Sequence, residues 1–102
     1  MTFNQFNGSL SQPQPPANLP PVLLALWHDA NNNWGAAHDV AQSREGTPDY
    51  DRLHAYLHRK EGDTFNAGYW YRRTGTPVFA GSLADEWQTL VRQQLSQMEE
   101  SR

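Results

Sequence analysis

The chain has 102 residues, a formal net charge of −3 and no cysteine, which suits one domain and excludes disulfides, thiolate metal sites and cysteine nucleophiles. Its basic residues are scattered apart from two pairs, so it lacks the positive surface that binds nucleic-acid phosphates. No apolar run approaches the roughly 20 residues that span a bilayer and no signal-peptide pattern is present, so we expect a soluble, cytoplasmic protein with no membrane partner.

The N-terminal segment, residues 1–18, is rich in Asn, Gln, Ser and Pro. Five of the seven prolines lie between Pro13 and Pro21. Such a segment lacks the periodic apolar residues that hold a helix against a core. We therefore expect a disordered or extended arm, with docking on an aromatic groove as the functional alternative. Residues 19–102 should form a single helical domain.

Two helices are predicted in the first part of the domain. Proline suits the first turn of a helix, so the first helix should begin at Pro21 and run to about Ala30. Asn33 suits an N-cap position, and it should precede a second helix from Trp34 to about Ser43. Each predicted helix carries apolar residues at the three- and four-residue spacing of one face.

A second pair of helices follows. Thr47 suits an N-cap and Pro48 the first helical position, while Gly62 provides the left-handed residue at which a helix ends. Asp63 should then cap a fourth helix from Thr64 to Thr74.

The last predicted helix begins after Ser82, which forms a capping-box pattern with Asp85. Its outer positions are charged or rich in glutamine, so we expect an amphipathic C-terminal capping helix with one solvated side. The apolar stripe that should face the core consists of Leu83, Trp87, Leu90, Val91, Leu95 and Met98.

The two predicted helix pairs are related by a shift of 30 residues. Each pair also ends in the same Gly-Thr-Pro triplet, at residues 46–48 and 75–77. The pattern predicts two tandem antiparallel helical hairpins, and hence an all-α fold of five helices with the last one as a cap. The shift aligns Leu23 with Leu53, Ala25 with Ala55, His28 with His58 and Ala37 with Ala67.

The stretch GDTFNAGYWYRRTGTP resembles the second helix of tetratricopeptide and Sel1-like repeats, through Gly62, Asp63, Ala67, Trp70 and Tyr71. This resemblance implies closely packed helices and a binding or assembly role. The chain is also similar, over residues 19–78, to small uncharacterised bacterial proteins that carry the string H-x3-HR-x-EGD-x2-NA-x-YWYRR. That second resemblance implies no established activity.

Two histidines on the third predicted helix suggest a metal site. His54 and His58 lie one turn apart, the spacing at which two imidazoles bind one ion. The three residues between them include no glutamate, which excludes a zincin-type hydrolase. A simpler site for a divalent metal such as zinc would take its third ligand from His28, Glu61 or Asp63.

A ligand-binding groove is the second interpretation of this region. His54, His58, Tyr69, Arg72 and Arg73 would line it, and arginine binds carboxylates in a bidentate manner. Helical-repeat proteins commonly dock peptides on exposed faces. This interpretation predicts an acidic peptide, a protein or a small anion as the partner.

The third interpretation is structural. The same histidines would pack and form hydrogen bonds at the edges of the apolar stripes. Charged neighbours would form ion pairs, and His38 would be partly exposed with no assigned role. In the expected pairs, Glu61 or Asp63 joins Arg59, Arg72 or Arg73.

These interpretations favour a binding or interaction module that needs no cofactor. No motif assigns a catalytic residue, so we expect no enzyme activity; the alternative is a metal-binding protein or metal-dependent enzyme centred on His54 and His58. Two hairpins are fewer than the three or so repeats that usually stabilise a stack. A homo-oligomer is therefore one way in which the missing contacts would be supplied.

Overall fold

The computed structural model describes residues 1–100, which form six α-helices and no β-strand. The all-α prediction is confirmed, whereas the predicted number of five helices is wrong. The helices are α1 (Phe3–Ser9), α2 (Pro21–Ala30), α3 (Trp34–Ser43), α4 (Pro48–Lys60), α5 (Thr64–Thr74) and α6 (Leu83–Glu100).

The five helices predicted from local signals begin at the expected residues. Side-chain caps form at three of them, whereas the Thr47 side chain forms no capping bond at the start of α4. The Asn33 side chain accepts a hydrogen bond from the N–H of residue 36 at the start of α3. The Asp63 and Ser82 side chains accept equivalent bonds at the starts of α5 and α6. Gly75 ends α5 in the left-handed conformation, with φ of 70°, which glycine adopts without steric cost.

The additional helix, α1, lies in the segment expected to be disordered or extended. Thr2 and Gln5 form a capping box, in which each side chain accepts a hydrogen bond from the backbone of the other. Phe6 is completely buried, and its ring centroid lies 6.1 Å from that of Trp87 on α6. The expectation is wrong for Phe3–Ser9 because a local cap and a buried aromatic ring supply the contacts that periodic apolar residues usually provide.

The core forms around α4, which packs against α2, α3, α5 and α6. α2 packs on α3 as well as on α6, and α1 lies on α6. Among the described residues, α4 is the one helix whose backbone packs closely on α5, and the Tyr71 side chain of α5 also reaches Glu86 on α6. Within residues 1–100, the outer face of α5 has no helix against it. The central core side chains, all completely buried, are Leu23, Leu26, Leu53, Leu57 and Val91.

The connections that follow α2 and α4 have the same geometry, 30 residues apart. Their middle residues, Asn32 and Gly62, have positive φ angles of 63° and 88°. Their last residues, Asn33 and Asp63, each donate the backbone N–H to a carbonyl five residues earlier at 2.9 Å. The sequence repeat therefore has a counterpart in the turns, while the tetratricopeptide-like arrangement of the hairpins stays a prediction.

The C-terminal helix is amphipathic, as predicted. Leu90, Val91 and Leu95 are buried, and the other stripe residues pack partly against the core. Glu86, which lies between stripe positions, is completely buried as well, and no sequence pattern predicted its burial. None of the helices formed by residues 1–100 is both long enough and apolar enough to cross a membrane.

Candidate metal centre

Three histidines from two helices come together at one side of α4. His54 and His58 share a face because they lie one turn apart, and their rings are stacked with centroids 4.9 Å apart. The packing of α3 on α4 adds His38, whose Nε2 lies 3.1 Å from Nε2 of His54. One ring nitrogen from each residue lies within 4.8 Å of the others. We call His38, His54 and His58 the histidine cluster.

Two tryptophans hold the rings of the cluster in place. Trp34 stacks on His38, with ring centroids 4.6 Å apart, and Trp70 stacks on His54 at 4.0 Å. Trp34 is itself fixed, because its Nε1–H donates a hydrogen bond to the carbonyl of Leu57 at 2.8 Å. Indoles from α3 and α5 thus limit the motion of both imidazoles.

One nitrogen of the cluster is buried without a partner. His54 is only 2% exposed, and its Nδ1 forms no hydrogen bond. A neutral imidazole has one donor and one acceptor nitrogen, so either tautomer leaves one polar atom of His54 unsatisfied. Leaving a buried polar atom unpaired costs about 1 to 3 kcal/mol. Two other buried side-chain atoms among residues 1–100, Nε1 of Trp27 and Nη1 of Arg52, also lack a hydrogen bond, so this feature alone does not single out the cluster.

The surroundings favour the neutral forms of His38 and His54. Burial, followed by the nearby His38 and His58, lowers the pKa of His54 to about 4. Burial and His58 also lower the pKa of His38, although nearby carboxylates act in the opposite direction. His54 is therefore neutral at pH 7, and a neutral imidazole is the form that binds a metal.

A carboxylate orients the third ring. Nδ1 of His58 lies 2.7 Å from Oε1 of Glu61. When Nδ1 carries the proton, this bond leaves the lone pair of Nε2 free, which is the arrangement commonly found in histidines that ligate metals. With Nδ1 bound to Glu61, Nε2 of His58 is the atom available to a metal.

A second group of possible metal donors consists of His58, Glu61 and Asp63. Both oxygens of Asp63 are already occupied, since they accept hydrogen bonds from the backbone and side chain of Asn66 at 3.1 and 2.6 Å. Glu61 holds His58, as described above. Glu61 therefore orients the His58 ring, and Asp63 caps α5.

The other predicted site residues lie elsewhere. His28 contacts the Trp27 ring edge-on and belongs to no group of three metal donors among residues 1–100. Tyr69, Arg72 and Arg73 are exposed on α5, where Nη1 of Arg73 donates to the Tyr69 hydroxyl at 3.1 Å. The buried His54 does not share an exposed surface with them.

His38 is the residue that the sequence analysis left without a role. It is partly exposed, as expected, but it joins a site that forms only when α3 packs on α4. A usable signal was present, because Trp34 and His38 lie one turn apart on α3 just as His54 and His58 do on α4. Two such pairs on neighbouring helices indicate a shared site better than either pair alone.

A second buried polar group, which we call the Glu86 network, joins α4, α5 and α6. The Glu86 carboxylate lies 2.7 Å from Nη1 of Arg52 and 2.8 Å from Nη1 of Arg59. It also accepts a hydrogen bond from the Tyr71 hydroxyl, and burial followed by this bond raises the pKa of Tyr71 to about 12. The prediction that Arg59 pairs with Glu61 or Asp63 is therefore wrong, because Arg59 pairs instead with the buried carboxylate of Glu86 on α6.

The geometry of the histidine cluster fits a transition metal. Two nitrogens bound to one zinc ion at 2.0 to 2.1 Å and a tetrahedral angle lie about 3.3 Å apart. The Nε2 atoms of His38 and His54 already lie 3.1 Å apart. Imidazole donors suit zinc, copper, iron and nickel rather than calcium or magnesium. His38, His54 and His58 are the residues that would hold such an ion.

Comparison of the chain with protein-family models, with curated proteins and with solved structures finds no match in any of the three.

Proposed function

We propose that this protein binds a divalent transition-metal ion of the zinc class through His38, His54 and His58. The observation that carries the proposal is the approach of the Nε2 atoms of His38 and His54 to 3.1 Å within a group of three histidines. In the absence of an ion, the His54 ring has its stacking on Trp70 and one hydrogen bond, to His38, to offset its burial. Coordination by both Nε2 lone pairs would replace that bond with stronger ones.

Each ligand has a distinct supporting contact. The ring of His54 is held by Trp70 and is neutral at pH 7, as its lowered pKa requires. The ring of His38 is held by Trp34. These two imidazoles are oriented before the ion arrives and lose little freedom on binding it. The ring of His58 lies nearly parallel to that of His54, so it must turn for both in-plane lone pairs to point at one ion.

The test is a titration of untagged, chelator-treated protein with Co²⁺, followed by absorption, and with Zn²⁺, followed by calorimetry. We expect one ion per chain. The variants His38→Ala, His54→Ala and His58→Ala should each lose stoichiometric binding. The matched control His28→Ala should keep it, because that ring lies outside the cluster. Equal binding by wild type and His38→Ala, or no binding by wild type, would overturn the proposal.

A second candidate function is peptide binding by the outer face of α5. Phe65 is 82% exposed and Tyr69 42% exposed, and Arg72 and Arg73 are exposed on the same helix. Large exposed aromatic side chains next to arginines are typical of interaction surfaces. The positive charge selects an acidic peptide as the occupant. A tetratricopeptide-like stack, in which α5 ends the second unit, would present this face to a partner.

Fluorescence polarisation with a labelled Glu-rich peptide tests this second function. Arg72→Ala combined with Arg73→Ala should abolish binding and leave the helical circular dichroism unchanged. Arg44→Ala, which removes an exposed arginine beyond the end of α3, is the control and should bind like wild type. Retention of affinity by the double variant would show that α5 does not carry the activity.

A further inference from the structure

A cavity of about 310 Å³ lies where α2, α4 and α6 meet. Tyr56 and Lys60 line it from α4, and each lies two positions after a histidine of the cluster, on nearly the opposite side of that helix. Its volume is at the lower end of the roughly 300 to 1,000 Å³ that small-molecule sites occupy. We call it the Trp87 cavity, and its apolar lining residues are Leu10, Ala30, Leu83, Ala84 and Trp87.

The walls of the Trp87 cavity are held in place by contacts within the protein. The Trp87 indole N–H donates a hydrogen bond to the carbonyl of Leu26 at 3.0 Å, and its ring centroid lies 6.1 Å from that of Phe6. The Tyr56 hydroxyl donates to Oδ2 of Asp29 at 2.7 Å. Small-molecule sites are usually pre-formed in this way. The fixed, partly exposed indole offers a flat apolar surface on which an aromatic ring packs.

The polar groups of the cavity form an ion pair whose charges cancel. Asp29 is only 1% exposed, and its Oδ1 lies 2.9 Å from Nζ of Lys60. Because the Tyr56 hydroxyl occupies the other oxygen, the carboxylate is closed to a ligand. The Lys60 side chain is 34% exposed, and an ammonium group has three N–H donors. Its two hydrogen bonds both go to Asp29, so one N–H remains for a ligand.

We propose that the Trp87 cavity binds a small, neutral aromatic molecule that carries one hydrogen-bond acceptor oxygen, such as an aryl ketone. The ring packs on the Trp87 indole, and the oxygen accepts a hydrogen bond from Lys60. Asp29 repels any anion that Lys60 attracts, and Lys60 repels any cation that Asp29 attracts. A charged ligand therefore loses its hydration without a compensating gain. This second site does not depend on metal binding by the histidine cluster.

The experiment is an NMR titration of the ¹⁵N-labelled full chain with acetophenone. We expect saturable shifts of the Trp87 indole N–H signal and of the Ala30 amide. Ala84→Phe should lose saturable binding, because a larger side chain at this lining position takes up space in the cavity. Ala84 is exposed, so this variant should keep the fold, which circular dichroism checks.

Ala80→Phe is the matched control. Ala80 is also exposed but does not line the cavity, so this variant should bind acetophenone like wild type. The absence of saturable shifts in wild type, or equal binding by wild type and Ala84→Phe, would overturn the cavity as a binding site.

Analogues of acetophenone test the ligand class. Toluene lacks the oxygen and should bind wild type about fivefold more weakly, which is the contribution of one hydrogen bond. Benzoate and benzamidine, which carry a negative and a positive charge at pH 7, should also bind more weakly than acetophenone. Equal affinities for toluene and acetophenone would exclude the bond to Lys60. Tighter binding of either charged analogue would contradict the neutral ligand class.

Discussion

The histidine cluster and the Glu86 network both bury polar side chains around α4, yet they differ in how completely those groups are satisfied. The Glu86 carboxylate is completely buried and contacts two arginines and a tyrosine hydroxyl. His54 is nearly as buried, but one of its nitrogens has no partner. Both oxygens of the Glu86 carboxylate have charged partners, and Nη1 of Arg52, which forms no hydrogen bond, still has the Glu86 charge beside it. A buried carboxylate neutralised in this way holds helices together, whereas Nδ1 of His54 has neither a hydrogen bond nor an ion pair.

The helix period explains why the two groups coexist on α4. Residues two positions apart on a helix point in nearly opposite directions. Arg52 and Arg59 therefore face α6, while His54 and His58 face α3. Because α5 contributes Tyr71 to one group and the adjacent Trp70 to the other, two of the helices that the Glu86 network joins, α4 and α5, also position the cluster.

The largest effect is expected from breaking the satisfied network. Glu86→Gln removes the charge that two arginines share, and leaves both without an acidic partner at a mostly buried position. We expect the free energy of unfolding to fall by about 3 kcal/mol. This value is at the lower end of the range for a broken buried ion pair, because both arginine side chains are partly exposed. Urea unfolding followed by circular dichroism measures it. The exposed control Glu99→Gln should change stability by less than about 0.5 kcal/mol, and an equally small loss for Glu86→Gln would contradict a structural role.

A smaller effect is expected from the hydroxyl in the same network. The pKa of Tyr71 is raised from 10.0 to about 12, so the folded state favours the neutral phenol. Its contribution to stability is complete below pH 10 and is lost as the pH rises through about 12. Tyr71→Phe should cost about 2 kcal/mol at pH 7, since the bond is to a charged acceptor.

Urea unfolding across the same alkaline range provides the check on this pH dependence. The stability difference between wild type and Tyr71→Phe should shrink as the pH rises from 10 toward 12. Tyr56, whose pKa is also raised by burial and then by its bond to Asp29, is present in both proteins and cancels in the comparison. A difference that stays constant over this range would show that the Tyr71 hydroxyl is not tied to Glu86.

The smallest effect is expected in the metal-free histidine cluster. His54→Phe keeps an aromatic ring against Trp70 and removes the nitrogen that has no partner. We expect the free energy of unfolding without metal to change by less than about 1 kcal/mol, because replacing an unsatisfied polar group by an apolar one is nearly neutral. In saturating Zn²⁺, wild type should gain stability and His54→Phe should not. A loss of unfolding free energy as large as that of Glu86→Gln would mean that the His54 side chain stabilises the fold.

The elements that were predictable from the sequence are those set by local signals. Asn33 and Asp63 cap their helices through bonds to residues three positions later, and Gly62 takes the left-handed conformation that ends α4. Such contacts span a few residues, so the sequence pattern contains them. The positions of five helices could therefore be predicted from the sequence.

The parts that were not predictable depend on contacts between distant residues. Glu86 bonds Arg59, 27 residues away, and His38 meets His54, 16 residues away. Neither pairing has a local signature, because each arises from the way in which the helices pack. Two of the three candidate ligands, His54 and His58, were visible as a one-turn pair, whereas the third ligand, His38, required the position of α3.

The most direct test of the central claim is a crystal structure of the zinc-soaked protein with anomalous data at the zinc edge. We expect one strong anomalous peak, with ring nitrogens of His38, His54 and His58 about 2.0 to 2.1 Å from it, and the bond between His38 and His54 replaced by two bonds to the ion. A peak placed elsewhere, or intact contact between the two Nε2 atoms with no peak beside them, would contradict the account.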